Sequence, residues 1–108
     1  MSKHRSDLEI VKDILTIVFN DIDVRKTHIM YRANLSYRLL EKYLERIQGL
    51  KLVDATEQGF FRLTEDGRSY LKECDSLIDV RNRVREQFRT VESKRTALEQ
   101  LLDLNRKI

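Results

Sequence analysis

Apolar residues recur every three or four positions near the start of the chain, which is the spacing of a buried helix face. Ser6 followed by Glu9 matches a capping box, so the first helix is predicted to begin at about Asp7. Its predicted core face is Leu8, Val11, Ile14, Leu15, Val18 and Ile22. Three further apolar residues lie off that face, namely Ile10, Ile17 and Phe19. Such a helix is expected to be covered on a second side as well.

The next segment predicts two helices joined by a tight turn. Thr27 is expected to cap a short helix that ends at about Arg32, and the stretch ANLS forms the turn. Ser36 is expected to cap the third helix. The inward face of that helix is predicted to be Leu39, Leu40, Tyr43, Leu44 and Ile47. Gly49 follows the last periodic residue, where a left-handed glycine often ends a helix.

Two short runs of strand-forming residues follow, LKLVDA and FFRLT, on either side of the polar loop TEQG. A two-stranded hairpin is marginal by itself, so it is expected to pack against the helices. The order helix, helix–turn–helix, hairpin is typical of a winged-helix domain. We therefore predict a mainly α, α+β winged helix-turn-helix domain over residues 1–64 and a separate helical segment over residues 65–108.

The second segment predicts one long helix. Thr64 is expected to cap it, and after Gly67 the sequence contains neither glycine nor proline to end it. From Glu65 to Asn105 the helix would be roughly 60 Å long at about 1.5 Å per residue. A small domain cannot cover a helix of that length, so the helix is expected to have another partner.

Two rows of residues spaced by seven run along this helix. The first row is nearly all apolar: Tyr70, Leu77, Val84, Val91, Leu98 and Asn105. The second row is mixed: Cys74, Arg81, Phe88, Arg95 and Leu102. Together they predict a homodimeric coiled coil rather than a back-folded helix pair, because no turn residue permits folding back. An antiparallel register, with Phe88 beside the partner's Val91, keeps like-charged arginines apart.

Composition narrows the classes of protein. The chain is 36% charged, with three glycines and without proline or tryptophan, as is typical of helix-rich soluble proteins. No apolar run approaches the roughly twenty residues of a membrane span, and the first ten residues lack a signal-peptide core. A cytoplasmic location is therefore expected. The single cysteine permits no internal disulfide.

Charge is unevenly distributed, although the net charge is only +3. From Asp7 to Asp23 five acids stand against one lysine, a net of −4, whereas from Arg25 to Arg46 six bases stand against two glutamates, a net of +4. The base-rich segment contains the predicted helix–turn–helix. This clustering favours contact with a polyanion, and a solvated helix face explains it equally well.

The stretch KTHIMYRANLSYRLLEKYLERI closely resembles the helix–turn–helix signature of the small archaeal winged-helix DNA-binding proteins, which include the ten-kilodalton chromatin-type proteins. FFRLTEDGRSYL resembles that family's second wing strand and the start of its last helix. The resemblance covers about Asp7 to Leu71. It implies a winged-helix fold, a dimer through an antiparallel C-terminal coiled coil, and binding to double-stranded DNA. The modest net charge and the long tail leave open a general chromatin role and a promoter-specific role.

On this interpretation the outer face of the third helix enters the major groove. The residues expected to contact DNA are Tyr37, Arg38 and Lys42 on that helix, Asn34 and Ser36 before it, Lys26, His28 and Arg32 on the second helix, and Gln58 and Arg62 in the wing. The predicted dimer interface is Tyr70, Cys74, Leu77, Arg81, Val84, Phe88, Val91, Arg95, Leu98 and Leu102.

Ordinary structural roles compete with these assignments. Arg38 and Lys42 can pair with glutamates on a solvated face, Tyr37 can cover apolar surface, and the serine is a cap first. Two histidines and one cysteine do not supply the usual four ligands of a structural zinc site, and no phosphate loop or nucleophile motif occurs. We therefore expect no enzymatic activity and no cofactor. The predicted function is a homodimeric DNA-binding transcription regulator or nucleoid-associated protein, with a protein–protein adaptor as the alternative.

Overall fold

The computed structural model describes residues 4–103. Its elements, in chain order, are α1 (Asp7–Asn20), α2 (Lys26–Arg32), α3 (Tyr37–Gly49), β1 (Val53–Ala55), β2 (Phe61–Leu63) and α4 (Glu65–Leu101). The chain divides into two compact units, which we call the winged-helix unit, through Asp75, and the tail unit, from Ser76 onward. The predicted domain boundary at residue 64 coincides with the end of the wing, and the winged-helix unit continues through the first turns of α4.

Helix α1 begins as predicted, and its buried face differs in part from the prediction. The Glu9 N–H donates to Ser6 Oγ (3.2 Å), and the Ser6 N–H donates to Glu9 Oε1 (3.3 Å), which completes the capping box. The buried residues are Ile10, Ile14, Leu15, Ile17 and Val18, so two residues placed off the core face lie in the core. Ile22, predicted to be in the core, is 89% exposed, because α1 ends at Asn20 and the chain turns extended at Asp21.

Helix α2 begins two residues earlier than a cap at Thr27 would allow. Its N-cap is Arg25, which makes no side-chain capping hydrogen bond, and Thr27 lies inside the first turn. The prediction that Thr27 is the cap is therefore wrong. The cause is a long-range contact: Val24 forms a β-bridge with Phe61, which holds the chain extended up to the start of α2.

The turn before α3 and the end of α3 are fixed by two left-handed residues, Asn34 (φ 54°) and Lys51 (φ 61°). Ser36 caps α3 as predicted, with Oγ accepting from the Leu39 N–H at 3.2 Å. The prediction that Gly49 ends α3 in a left-handed conformation is wrong, because Gly49 is still helical and the reversal falls at Lys51.

The inward face of α3 is narrower than predicted. Leu40, Leu44 and Ile47 are buried, and Tyr43 is half-buried. Leu39 is 42% exposed, so its assignment to the core is wrong. Buried positions on a helix are three or four residues apart, and Leu39 lies one position away from the row of Leu40, Leu44 and Ile47.

The wing is a short antiparallel hairpin that packs on the core. Val53 pairs with Leu63 and Ala55 with Phe61, and Gly59 in the connecting loop has φ +86°. Val53 and Phe61 belong to the buried cluster that also contains residues of α1, α2 and α3. The wing is therefore held to the helices, as the sequence predicted.

Arg5 ties the start of the chain to the helix–turn–helix, a role that the sequence did not indicate. Its Nη1 lies 2.7 Å from Asp13 Oδ2 on α1. Its Nη2 donates to the backbone carbonyls of Ala33 (2.7 Å) and Asn34 (3.3 Å), which lie in the turn before α3. One guanidinium thus fixes the distance between α1 and the turn that orients α3.

Replacing Arg5 with alanine should lower the free energy of unfolding by about 1–2 kcal/mol, because two hydrogen-bonded carbonyls and one carboxylate lose a partly buried cationic donor. Chemical denaturation at fixed protein concentration would measure the change. Arg83→Ala, which removes an exposed guanidinium from the tail unit, is the control and should leave the value almost unchanged. Equal losses in the two variants would contradict the role given to Arg5.

Helix α4 begins at a side-chain cap, as predicted. Thr64 Oγ1 accepts from the Gly67 N–H at 2.9 Å. The helix is described through Leu101, and Asn105, where it was predicted to end, lies outside the described residues. No helix among residues 4–103 is long and apolar enough to cross a membrane.

Candidate nucleic-acid interface

The outward side of α3 carries five residues that we call the reading face: Tyr37, Arg38, Glu41, Lys42 and Glu45. They point away from the core because Leu40, Leu44 and Ile47 occupy the opposite side of the helix. All are exposed except Glu41, which is half-buried. The reading face therefore presents two cations, two carboxylates and one phenol ring.

Arg38 and Lys42 are the cations of the reading face that remain available. Among residues 4–103, Arg38 forms no ion pair or hydrogen bond within the winged-helix unit. Lys42 Nζ lies 5.9 Å from the centre of the Tyr43 ring and has no carboxylate partner in the same part of the chain. The alternative in which these two cations are neutralised by glutamates of their own helix is not observed. Both can therefore bind an external anion.

Lys26 has a different environment. Its ammonium forms an ion pair with Glu41 Oε1 on α3 and lies 5.7 Å from the centre of the Tyr37 ring. The hydrogen bond with Lys26 lowers the pKa of Glu41, and the same bond raises the pKa of Lys26. Both groups are therefore charged at neutral pH. Lys26, which was predicted to contact the DNA backbone, links α2 to the middle of the reading face.

Arg32 and His28, the other two residues of α2 predicted to contact DNA, both lie beside Asp21. Arg32 Nη1 lies 2.6 Å and His28 Nε2 lies 3.3 Å from the same oxygen, Asp21 Oδ2. In the wing, Arg62 Nη2 lies 3.7 Å from Asp23 Oδ1. The side chains of Arg32, His28 and Arg62 are exposed, whereas Asp21 is half-buried, and ion pairs of exposed side chains are individually worth little. A phosphate group can therefore replace the carboxylate partner at small cost.

The remaining predicted contacts have structural roles. Asn34 supplies the left-handed residue of the turn, and Ser36 Oγ is occupied as the cap of α3. The backbone carbonyl of Gln58 in the wing loop accepts from Arg25 Nη1 at 3.3 Å. Of these three side chains, only the Ser36 hydroxyl is occupied, because neither the Asn34 nor the Gln58 side chain forms a hydrogen bond among residues 4–103.

Arg25 belongs to this surface, although sequence reasoning omitted it. Its guanidinium carbon lies 4.4 Å from the centre of the Phe60 ring, so a cation–π contact fixes it beside the wing loop. The available signal was its position as the first base of the base-rich segment. Its partners lie more than thirty residues away in the sequence, so spacing alone did not reveal its place.

The predicted dimer interface separates into two groups. In the winged-helix unit, Cys74 is buried within its own chain, whereas Tyr70 remains partly exposed. In the tail unit the apolar members are all exposed in the single chain: Leu77, Val84, Phe88, Val91, Leu98 and Leu102. Arg95 forms an ion pair with Glu92 at 2.7 Å within the same helix, and Arg81 is half-buried. Among its described residues, the tail unit offers no second element to cover the apolar row.

The sequence model of one family, winged helix-turn-helix, matches residues 4–82. The chain belongs to the winged helix-turn-helix family. The match includes α1, the helix–turn–helix, the wing and the first turns of α4, so the fold predicted from the helix–turn–helix stretch is confirmed. A comparison with curated proteins gave no match.

Among solved structures, this winged helix-turn-helix chain is similar to Sso10a-2, a DNA-binding protein from Sulfolobus solfataricus. The two share 23% identity with a TM-score of 0.63 over 96% of this chain and 100% of that one. It is also similar to the transcriptional repressor CouR, at 20% identity and a TM-score of 0.65 over 85% and 68% of the two chains. A third is MepR of Staphylococcus aureus, a transcription regulator of a multidrug efflux pump, at 14% identity and a TM-score of 0.62 over 86% and 76%. At these identities the likeness establishes the fold.

Proposed function

We propose that this winged helix-turn-helix protein is a homodimer that binds double-stranded DNA, as a transcription regulator or a nucleoid-associated protein in the cytoplasm. The observation that carries the proposal is the pair Arg38 and Lys42, which have no acidic partner among residues 4–103 and lie on the exposed side of α3. An α-helix fits the major groove of B-form DNA, and cations on its outer side reach base edges and flanking phosphates. The solved relatives named as a DNA-binding protein and as transcription regulators agree with this assignment.

Three other basic side chains of this surface differ from those of α3 because they already have acidic partners. Arg32 on α2 pairs with the half-buried Asp21, which the His28 imidazole also contacts, and Arg62 in the wing pairs with the exposed Asp23. When DNA approaches, phosphates compete with these carboxylates for the same cations. Each such exchange moves a cation from one anion to another, so its net contribution to affinity is small. Affinity is therefore expected to come chiefly from Arg38, Lys42 and Arg25.

The homodimer is the second part of the proposal, and the tail unit supports it. A row of exposed leucine, valine and phenylalanine side chains at heptad spacing is unfavourable in water and is covered when two copies of the helix associate. We infer an antiparallel pairing, because a parallel pair would place Arg81 and Arg95 each against its own copy. Two reading faces on one dimer then bind one duplex with the gain of effective concentration.

The test of DNA binding is a fluorescence-anisotropy titration of a labelled duplex at several salt concentrations. The logarithm of the binding constant should fall linearly with the logarithm of salt, because neutralised phosphates release counterions. Replacing Arg38 and Lys42 together by alanine should weaken binding roughly tenfold or more and flatten the salt dependence by about one for each lost phosphate contact.

Arg68→Ala with Lys72→Ala is the matched control, because it removes the same charge from exposed positions of α4 in the same unit. The control should bind nearly as tightly as the parent. Equal losses in the two double variants would contradict the place given to α3. No binding to any duplex at low salt, together with tight binding to a protein, would select the adaptor instead.

A further inference from the structure

A carboxylate stands in the middle of a surface that should attract a polyanion. Glu41 lies one turn after Tyr37 and Arg38 and directly before Lys42, and its side chain is 44% exposed. A glutamate at this place repels phosphate and so lowers non-specific affinity. A glutamate on the reading face is therefore expected to have a function that compensates for its repulsion of phosphate.

The side chain of Glu41 is held in place. Its Oε1 is inaccessible to solvent beneath the Lys26 ammonium from α2. Lys26, and to a smaller extent Tyr37, lower the pKa of Glu41, so the carboxylate is held in its charged form. The ion pair with Lys26 cancels most of the long-range repulsion, and because the side chain is 44% exposed, the carboxylate can still accept a hydrogen bond from a ligand. The structure thus presents a fixed hydrogen-bond acceptor with little net charge.

The edges of the four bases differ in how they would meet such an acceptor. In the major groove guanine offers two acceptors, and thymine offers an acceptor and a methyl group. Adenine offers an amino group with the acceptor N7 beside it, which would repel a carboxylate. Cytosine offers its N4 amino group without a neighbouring acceptor. A fixed carboxylate on the reading face therefore favours cytosine.

We propose that Glu41 determines base specificity by accepting a hydrogen bond from the N4 amino group of a cytosine in the major groove. This rests on the proposed function, since it requires α3 to lie in that groove. Arg38 precedes Glu41 by three positions and so lies on the same side of the helix. A cationic donor beside a carboxylate acceptor is complementary to a C·G pair, whose guanine presents N7 and O6 as acceptors.

The experiment is selection of bound duplexes from a random library, followed by sequencing, with the parent protein and two variants. The parent should enrich cytosine at one position of each half-site. Glu41→Gln should change the enriched base at that position from cytosine to adenine, because glutamine pairs with adenine N6 and N7. Each protein should prefer its base roughly tenfold over the other.

Glu45→Gln is the matched control, because it removes the same charge from the same face one turn later. It should raise affinity for all duplexes and leave the enriched base unchanged. Bound duplexes without a preferred cytosine in the parent, or with the same base preferred by the parent and Glu41→Gln, would overturn the inference while DNA binding itself stands. If none of the three proteins retains any duplex at low salt, the proposed function fails and the inference fails with it.

Discussion

Replacing Gly67 with alanine should destabilise the winged-helix unit by about 3 kcal/mol, the upper end of the usual cost of overpacking. A Cβ atom at this position would lie 2.0 Å from the Leu52 carbonyl oxygen and 3.0 Å from its carbon. These are backbone atoms, and the same oxygen accepts from the Thr64 N–H at 3.0 Å. Neither side of the clash can move without separating the start of α4 from Leu52, the residue that precedes β1.

Gly49→Ala is the matched control for this substitution. Gly49 is also helical, but nothing lies within 4 Å of the position that its Cβ would take. Alanine there should leave the free energy of unfolding unchanged or raise it by up to about 1 kcal/mol, because alanine is the better helix former. Chemical denaturation at one protein concentration compares the two. Equal midpoints for Gly67→Ala and the parent would show that the close approach is not rigid.

Replacing Val84 and Val91 together by lysine should convert the proposed dimer into single chains. These side chains are 58% and 60% exposed in the isolated chain and lie in the middle of the apolar row of the tail unit. Lysine at both positions would require four ammonium groups to be buried in one interface, which is far costlier than leaving the helices apart. Light scattering at the parent's concentration should give the mass of one chain. Binding to a duplex long enough for two winged-helix units should weaken at least tenfold, because the gain of effective concentration is lost.

Asn82→Lys with Ser93→Lys controls for the added charge. Both positions lie on the same helix away from the two heptad rows, and both are exposed. This variant should keep the parent's mass and its affinity for DNA. A mass of two chains for Val84→Lys with Val91→Lys would exclude the apolar row as the contact between copies.

The order and type of the elements could be predicted from the sequence because they depend on local periodicity. The helical spacing of α1 and α3 and the caps Ser6, Ser36 and Thr64 involve residues only a few positions apart. The predictions were wrong where a contact with a residue distant in the sequence determines the local structure. Thr27 matches a cap pattern, but the bridge between Val24 and Phe61 sets where α2 starts.

The buried side of α1 could not be predicted for a related reason. A helix that is apolar over most of its circumference contains several possible core faces, and the rest of the chain determines which are covered. Ile10 and Ile17 are buried because the remainder of the unit packs on their side of the helix. The periodicity identified the helix but not the packing around it.

The sequence predicted which cations lie on the candidate site, but it did not predict which residues form ion pairs with the site's basic side chains. The period of α3 placed Arg38 and Lys42 outward, and that is where they lie. The sequence does not show that Lys26 meets Glu41, or that Asp21 holds Arg32, because these residues are eleven or more positions apart. Which of these residues form ion pairs is determined by the tertiary structure. The same holds for Arg25 beside Phe60.

The burial of Cys74 affects how copies of this chain can be joined. Burial, with a smaller effect from the charge of Asp75, raises the pKa of its thiol. A thiol that stays protonated and covered by its own chain is a poor nucleophile toward another sulfur. Oxidation is therefore not expected to lock two folded copies together, so the proposed dimer should dissociate reversibly on dilution. The concentration of the protein, rather than its redox state, would then determine the population of the proposed dimer.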